Sequence, residues 1–132
     1  MRGELLDIDH IHVVVADREA ALDWYARVLG LIPVETLRFW AVDGGPMTIA
    51  NPSQTVTLAL FEGDSSETRP AIALRVDADG FRGWQKHLEL ILNTPPRLED
   101  HRVSWSLYFA DPDGNRFEIT TYDYHELASE LT

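Results

Sequence analysis

The chain spells the same order of elements twice, and this repeat limits its fold more than any other feature. Asp17 precedes Trp24 by the same spacing with which Asp77 precedes Trp84. Around the first pair, Ile8 to Ala16 (IDHIHVVVA) is β-branched and bounded by Asp, as a strand should be. Asp17 is a good N-cap and Glu19 suits the positive first turn of a helix. Ala21, Trp24, Tyr25, Val28 and Leu29 then recur on one helical face, and Gly30 supplies the stop. Three further strands are expected around Val34 to Val42, Thr48 to Ala50 and Thr55 to Glu62, separated by Asp43-Gly44-Gly45-Pro46 and Asn51-Pro52-Ser53.

After the polar stretch Gly63 to Thr68, which reads as a linker, the order starts again. Ala71 to Val76 is a strand, and Phe81, Trp84, Leu88, Ile91 and Leu92 mark a second helix that Asn93-Thr94-Pro95-Pro96 ends. Arg97 to Asp100, Val103 to Ala110 and Arg116 to Tyr122 are strands, the last two joined by the tight turn Asp111-Pro112-Asp113-Gly114. A period of about 60 residues with this order predicts an α+β fold of two βαβββ modules. The expected boundaries are about 7–62 and 70–122 within a single domain, 1–132. The tail, 123–132, carries Tyr124, Leu127, Ala128 and Leu131 at helical spacing and is expected to dock as a short helix.

Charge and residue usage exclude several function classes. Eleven Lys plus Arg stand against 22 Asp plus Glu, a net charge of -11, and Lys86 is the single lysine. Phosphate neutralisation needs clustered cations, so no nucleic-acid partner is expected. No apolar stretch is long enough to span a bilayer and the first residues form no signal peptide, so a cytoplasmic protein without a membrane partner is expected. With no cysteine, thiolate chemistry, iron–sulfur clusters and disulfides are excluded, and any metal must be held by His and carboxylates.

Strand alternation then sorts the reactive side chains. If Ile11, Val13 and Val15 pack under the helices, His10, His12 and Val14 face the other way; likewise Phe117 and Ile119 turn inward and leave Arg116, Glu118, Thr120 and Tyr122 opposite. Two neutral imidazoles and one carboxylate are a ligand set for Fe, Mn or Zn, though an HxH pair also serves simply to line a polar cleft. Trp40, Phe61, Tyr108 and Tyr122 are candidates for an aromatic wall against a small molecule, or for core. His87, His101 and His125 read as surface residues. No G-x-S-x-G, P-loop or G-x-G-x-x-G is present.

The stretches DHIHVVVADREAALDWYARVLGL and SLYFADPDGNRFEITTYD resemble the opening and closing signatures of the vicinal oxygen chelate proteins, the glyoxalase, bleomycin-resistance and extradiol dioxygenase superfamily. The resemblance implies paired βαβββ modules forming an open cup-shaped mixed sheet, with helices on its outer face, completed in many members by homodimerisation. It also implies a divalent metal (Fe, Mn, Zn or Ni), a small-molecule ligand and no organic cofactor. The family's first His matches His10 and its last carboxylate matches Glu118, while two further ligand positions fall on Ala59 and Ala71. Alanine binds no metal, so an intact four-ligand glyoxalase site, or the His, His, Glu set of a dioxygenase or fosfomycin-modifying transferase, is disfavoured. His12 is the residue able to replace a missing imidazole. Two expectations follow. One is an enzyme with a Lewis-acidic metal on His10, His12 and Glu118, in which Glu118 beside Arg75 acts as general base if no metal is used. The other is a metal-independent binding module that sequesters its ligand.

Overall fold

The computed structural model describes residues 3, 6–64 and 71–132; the expected linker from residue 65 on and the first residue of the second expected module, 70, lie outside them. The chain divides into two compact units, 1–65 and 66–132.

In the first unit, β1 (Ile11–Val15) leads into α1 (Arg18–Leu29), then β2 (Ile32–Pro33), a 3-10 helix (Glu35–Trp40), β3 (Met47–Ala50) and β4 (Thr57–Glu62). The sheet order is β1-β4-β3-β2, with β1 parallel to β4 and the other pairs antiparallel. Asp17 caps α1 by accepting the Ala20 N–H at 3.1 Å. At the other end Gly30 enters the left-handed region, φ 70°, and its N–H closes on the Ala26 carbonyl. Between these caps Ala21, Trp24, Tyr25, Val28 and Leu29 are buried, on the side of Val13, Val15, Ile49, Leu58 and Leu60.

The long strand expected over Val34 to Val42 does not form. Val34 N–H still bonds the Thr48 carbonyl, but Leu37 N–H then turns back to the Val34 carbonyl and the chain coils as a 3-10 helix. The stretch lacks period-two alternation, and Arg38 closes on Glu35 three residues back, a spacing that one helical turn brings together and a strand does not. Arg18 donates to the carbonyls of Gly45 (2.7 Å) and Ala41 (3.3 Å), tying the following loop to the start of α1. Gly45 has no substitute here, because a Cβ would stand 1.9 Å from the Trp40 carbonyl oxygen.

The second unit repeats the plan: β5 (Ile72–Arg75), α2 (Ala78–Ile91), β6 (Arg97–Asp100), β7 (Trp105–Ala110) and β8 (Arg116–Thr121), in sheet order β5-β8-β7-β6 with β5 parallel to β8. The paired βαβββ architecture is thus realised in two four-stranded mixed sheets. Asp77 caps α2 through the Gly80 N–H at 2.8 Å, and Phe81 and Leu88 are buried with Phe117 and Ile119 of β8. The tail forms α3 (Tyr124–Leu131), which docks on its own unit: Leu127 is buried, Arg82 pairs with Glu130, and Trp105 Nε1 donates to the Tyr124 carbonyl while the two rings stack. Among the described residues no helix is long and apolar enough to cross a membrane. Glu62 and Asp123 accept the Arg18 and Ala78 N–H groups at the same two helix starts, so Asp17→Ala and Asp77→Ala each remove one of two carboxylate acceptors and should each lower stability by about 1 kcal/mol. Urea titration checks this, and asparagine at either position should restore most of the loss.

Candidate functional site

Functional side chains cluster on each unit separately. In the first, parity turns Val13 and Val15 into the core and leaves His10 and His12 exposed. Their rings lie 5.0 Å apart and nearly parallel, with Nε2 to Nε2 at 3.0 Å. His10 Nδ1 is 2.8 Å from Asp9 Oδ2. If that nitrogen carries the proton, Nε2 of His10 is left as a lone pair, and His12 Nε2–H is the donor between the rings. The His12 ring also leans on half-buried Phe61, centroid to centroid 4.8 Å. Across the β1–β4 ladder His12 faces Ala59, which in turn faces Thr48 of β3.

Two imidazole nitrogens on neighbouring corners of an octahedral divalent ion, each about 2.1 Å from the metal, stand about 3.0 Å apart. The pair therefore fits two positions of such an ion in both donor type and spacing, with Asp9 behind one ring in the role that orients metal-binding histidines. Among the described residues no group of three or more His, Asp or Glu side chains gathers to hold a metal.

In the second unit the sheet register sets Ala73, Glu118, Tyr108 and Arg97 in one row, and Arg75, Thr120, Ser106 and Glu99 in the next. The Ser106 hydroxyl donates to Glu118 Oε2 at 2.8 Å. Tyr108 OH is 2.9 Å from His101 Nε2, and the Arg97 guanidinium lies over its ring at 4.8 Å. Burial, reinforced by the negative charge of Glu118, pushes the Tyr108 phenol above its ordinary range, so it stays protonated and able to donate. Ala59 and Glu118 occupy corresponding places in their own units, opposite His12 and Ala73 respectively.

The remaining sequence candidates fall differently. Arg75 is exposed on β5, and Tyr122 is 66% exposed just past the end of β8. Trp40 lies on the 3-10 helix against Phe39, so the strand alternation from which its direction was argued does not apply to it. His101, expected as a bystander, partners Tyr108; the left-handed turn at Arg102, φ 70°, brings the loop around, and no periodicity encodes that. Ser106 could have been found by parity, since it lies two residues from Tyr108. Asp9 adjoins the HxH pair and was legible as its orienting carboxylate.

The family model of the Glyoxalase/Bleomycin resistance protein/Dioxygenase superfamily matches residues 7–119. The chain belongs to this superfamily. Within it, the chain is similar to a metallothiol transferase FosB of Lysinibacillus sphaericus, 28% identical over 119 residues that cover 86% of this chain and 81% of that protein. Among solved structures, the integron cassette protein HFX_CASS4 from the mobile metagenome of Halifax Harbour Sewage Outfall aligns with TM-score 0.71 and 19% identity, covering 89% of this chain and 99% of the other. The fosfomycin resistance protein FosX of Listeria monocytogenes, solved with Mn(II) and sulfate, aligns with TM-score 0.67 and 16% identity over 96% and 99% of the two chains. These structural likenesses speak for the superfamily fold; the chemistry has to be argued from the side chains.

Proposed function

We propose that this protein is an enzyme that uses a divalent metal held by His10 and His12 to act on a small oxygen-bearing molecule, with Glu118 as the carboxylate of the reaction. The observation that carries the reading is the 3.0 Å approach of the two Nε2 atoms with Asp9 set behind His10. The FosB and FosX relatives, named as a metallothiol transferase and as a protein solved with Mn(II), favour a metal in the same superfamily. When bound, the metal supplies Lewis acidity to substrate oxygens. Asp9 fixes the orientation of the His10 ring, and Phe61 limits the swing of His12. Glu118 is assigned from its place in the family pattern alone, as third ligand or as base; Ser106 holds one of its oxygens, and Tyr108 beside it can donate a proton to a developing oxyanion. Phe61, Tyr108, Arg75 and Tyr122 are the proposed ligand contacts. A homodimer belongs to the same proposal, since β1 and β2 in one sheet, and β5 and β6 in the other, are edge strands of the kind a second subunit covers.

A second reading, sequestration without turnover, is favoured by alanine at the two further ligand positions of the family pattern, Ala59, which stands opposite His12, and Ala71. Calorimetric titration of chelator-treated protein with Mn(II), Zn(II), Ni(II) and anaerobic Fe(II) separates the two. The enzyme reading expects one ion per chain. A protein that takes up none, yet binds a small molecule saturably and unchanged in the presence of chelator, is a binding module.

A further inference from the structure

The chain carries a net charge of -11, yet one sheet face gathers arginines. The strands of the two sheets hold three guanidinium groups and no ammonium: Arg75 on β5, Arg97 on β6 and Arg116 on β8. All three share the face of Glu118. Arg116 lies two residues from it on the same strand, Arg97 stands in its row beyond Tyr108, and Arg75 faces Thr120 in the next row. The other described cations lie on helices and loops.

Two of these arginines are engaged within the protein. Arg97 pairs with Glu99 and covers the Tyr108 ring, and Arg116 has a partner of its own. Arg75 differs, for it bonds no carboxylate among the described residues although acids outnumber bases two to one. The repeat supplies an independent comparison. Ala59 and Glu118 correspond, so Val14 and Phe61 of the first unit stand where Arg75 and Thr120 stand in the second. An apolar pair serves this fold equally well at that place, so the guanidinium answers no need of the sheet. Glu118, with one oxygen held by Ser106, and Tyr108, kept protonated by burial, flank it on the neighbouring row.

We infer that this face binds a small carboxylic acid, with its carboxylate on the Arg75 guanidinium and the rest of the molecule beside Glu118 and Tyr108. Strands stand about 4.8 Å apart and alternate residues about 7 Å, so a ligand of that size spans from Arg75 to Glu118. The planar fork of arginine matches a carboxylate with two parallel hydrogen bonds. A singly charged group suits one unpaired guanidinium, whereas a doubly charged one is opposed by Glu118 and Glu99 on the same face. The inference rests on the reading of Glu118 and Tyr108 as ligand contacts and names the ligand class; its test is run without metal, so it and the metal assignment fail separately.

The test is calorimetry in EDTA with mandelate, its neutral amide mandelamide and phenylphosphonate as probes. Mandelate should bind at least about 5-fold more tightly than the amide, and phenylphosphonate more weakly than mandelate. Arg75→Gln should weaken mandelate by about 5- to 20-fold, between the effect of an exposed ion pair and that of a charge-assisted hydrogen bond. Arg75→Lys should recover part of the loss, since it keeps the charge without the fork. Arg27→Gln removes the same charge from α1, where Arg27 pairs with Asp23, and should leave mandelate binding unchanged. Glu118→Gln should tighten mandelate by about 2- to 5-fold by removing a like charge. Thermal unfolding confirms that each variant folds. Equal binding of acid and amide, tighter binding of phenylphosphonate, an equal loss in Arg27→Gln and Arg75→Gln, an unchanged affinity in folded Arg75→Gln or Glu118→Gln, or no mandelate binding up to about 10 mM would each overturn the inference.

Discussion

Phe117→Ala should destabilise the protein by about 3–5 kcal/mol, enough to remove much of the margin of a small domain. Phe117 is fully buried at the centre of the second sheet. β8 lies between β5 and β7, and the register places Phe117 opposite both Ile72 and Phe109. Its ring stacks on Phe109 at 5.8 Å, and Phe81 and Leu88 of α2 complete the same apolar layer. Truncation removes the transfer free energy of the ring and leaves a cavity that two flanking strands, pinned by ladder hydrogen bonds, cannot close. Urea unfolding should show a lower midpoint with an unchanged slope. A loss below about 1 kcal/mol would mean that the layer is packed differently from the arrangement described here.

The alternation that buries Phe117 also shows why parts of the fold were readable in advance. In β1 and β8 a period of two places Val13, Val15, Phe117 and Ile119 inside and the His pair and Glu118 on the other face, and the sequence displays that period except at Val14, an apolar residue on the histidine face. Both helices announced themselves through an Asp cap and an apolar face. The segment after Pro33 misled because its mixture of β-formers matches a strand in composition but not in period; the Glu35–Arg38 spacing was the better guide. Side-chain partnerships were less legible than faces. Parity says that His10 and His12 share a side, but the 3.0 Å approach of their nitrogens depends on rotamers held by Asp9 and Phe61. The His101–Tyr108 contact depends on a loop turn set by one residue of positive φ. Such contacts carry no sequence period and emerge only from packed coordinates.

His12→Ala should lower affinity for a divalent metal by roughly a hundredfold, the largest effect expected at the candidate site. Structural sites with four ligands bind with about 10–16 kcal/mol, so one ligand is worth about 3 kcal/mol, or roughly two decades in the dissociation constant. His10→Ala should match it, because the two rings supply equivalent nitrogens 3.0 Å apart. Asp9→Asn should cost less, about 10- to 100-fold, because Asp9 touches only the far nitrogen of His10 and acts by orienting it. The order of the three variants separates a chelating pair from two histidines that merely hydrogen-bond to each other. Chelation predicts parallel losses of metal in both histidine variants, a smaller loss in Asp9→Asn, and recovery of neither histidine variant by Gln, which can reproduce a hydrogen bond but is a poor ligand for a borderline metal. If only His10→Ala loses metal, His12 is an acceptor or donor to its neighbour and not a ligand. The substitution by which sequence reasoning offset Ala71 would then fail, leaving sequestration as the reading to pursue.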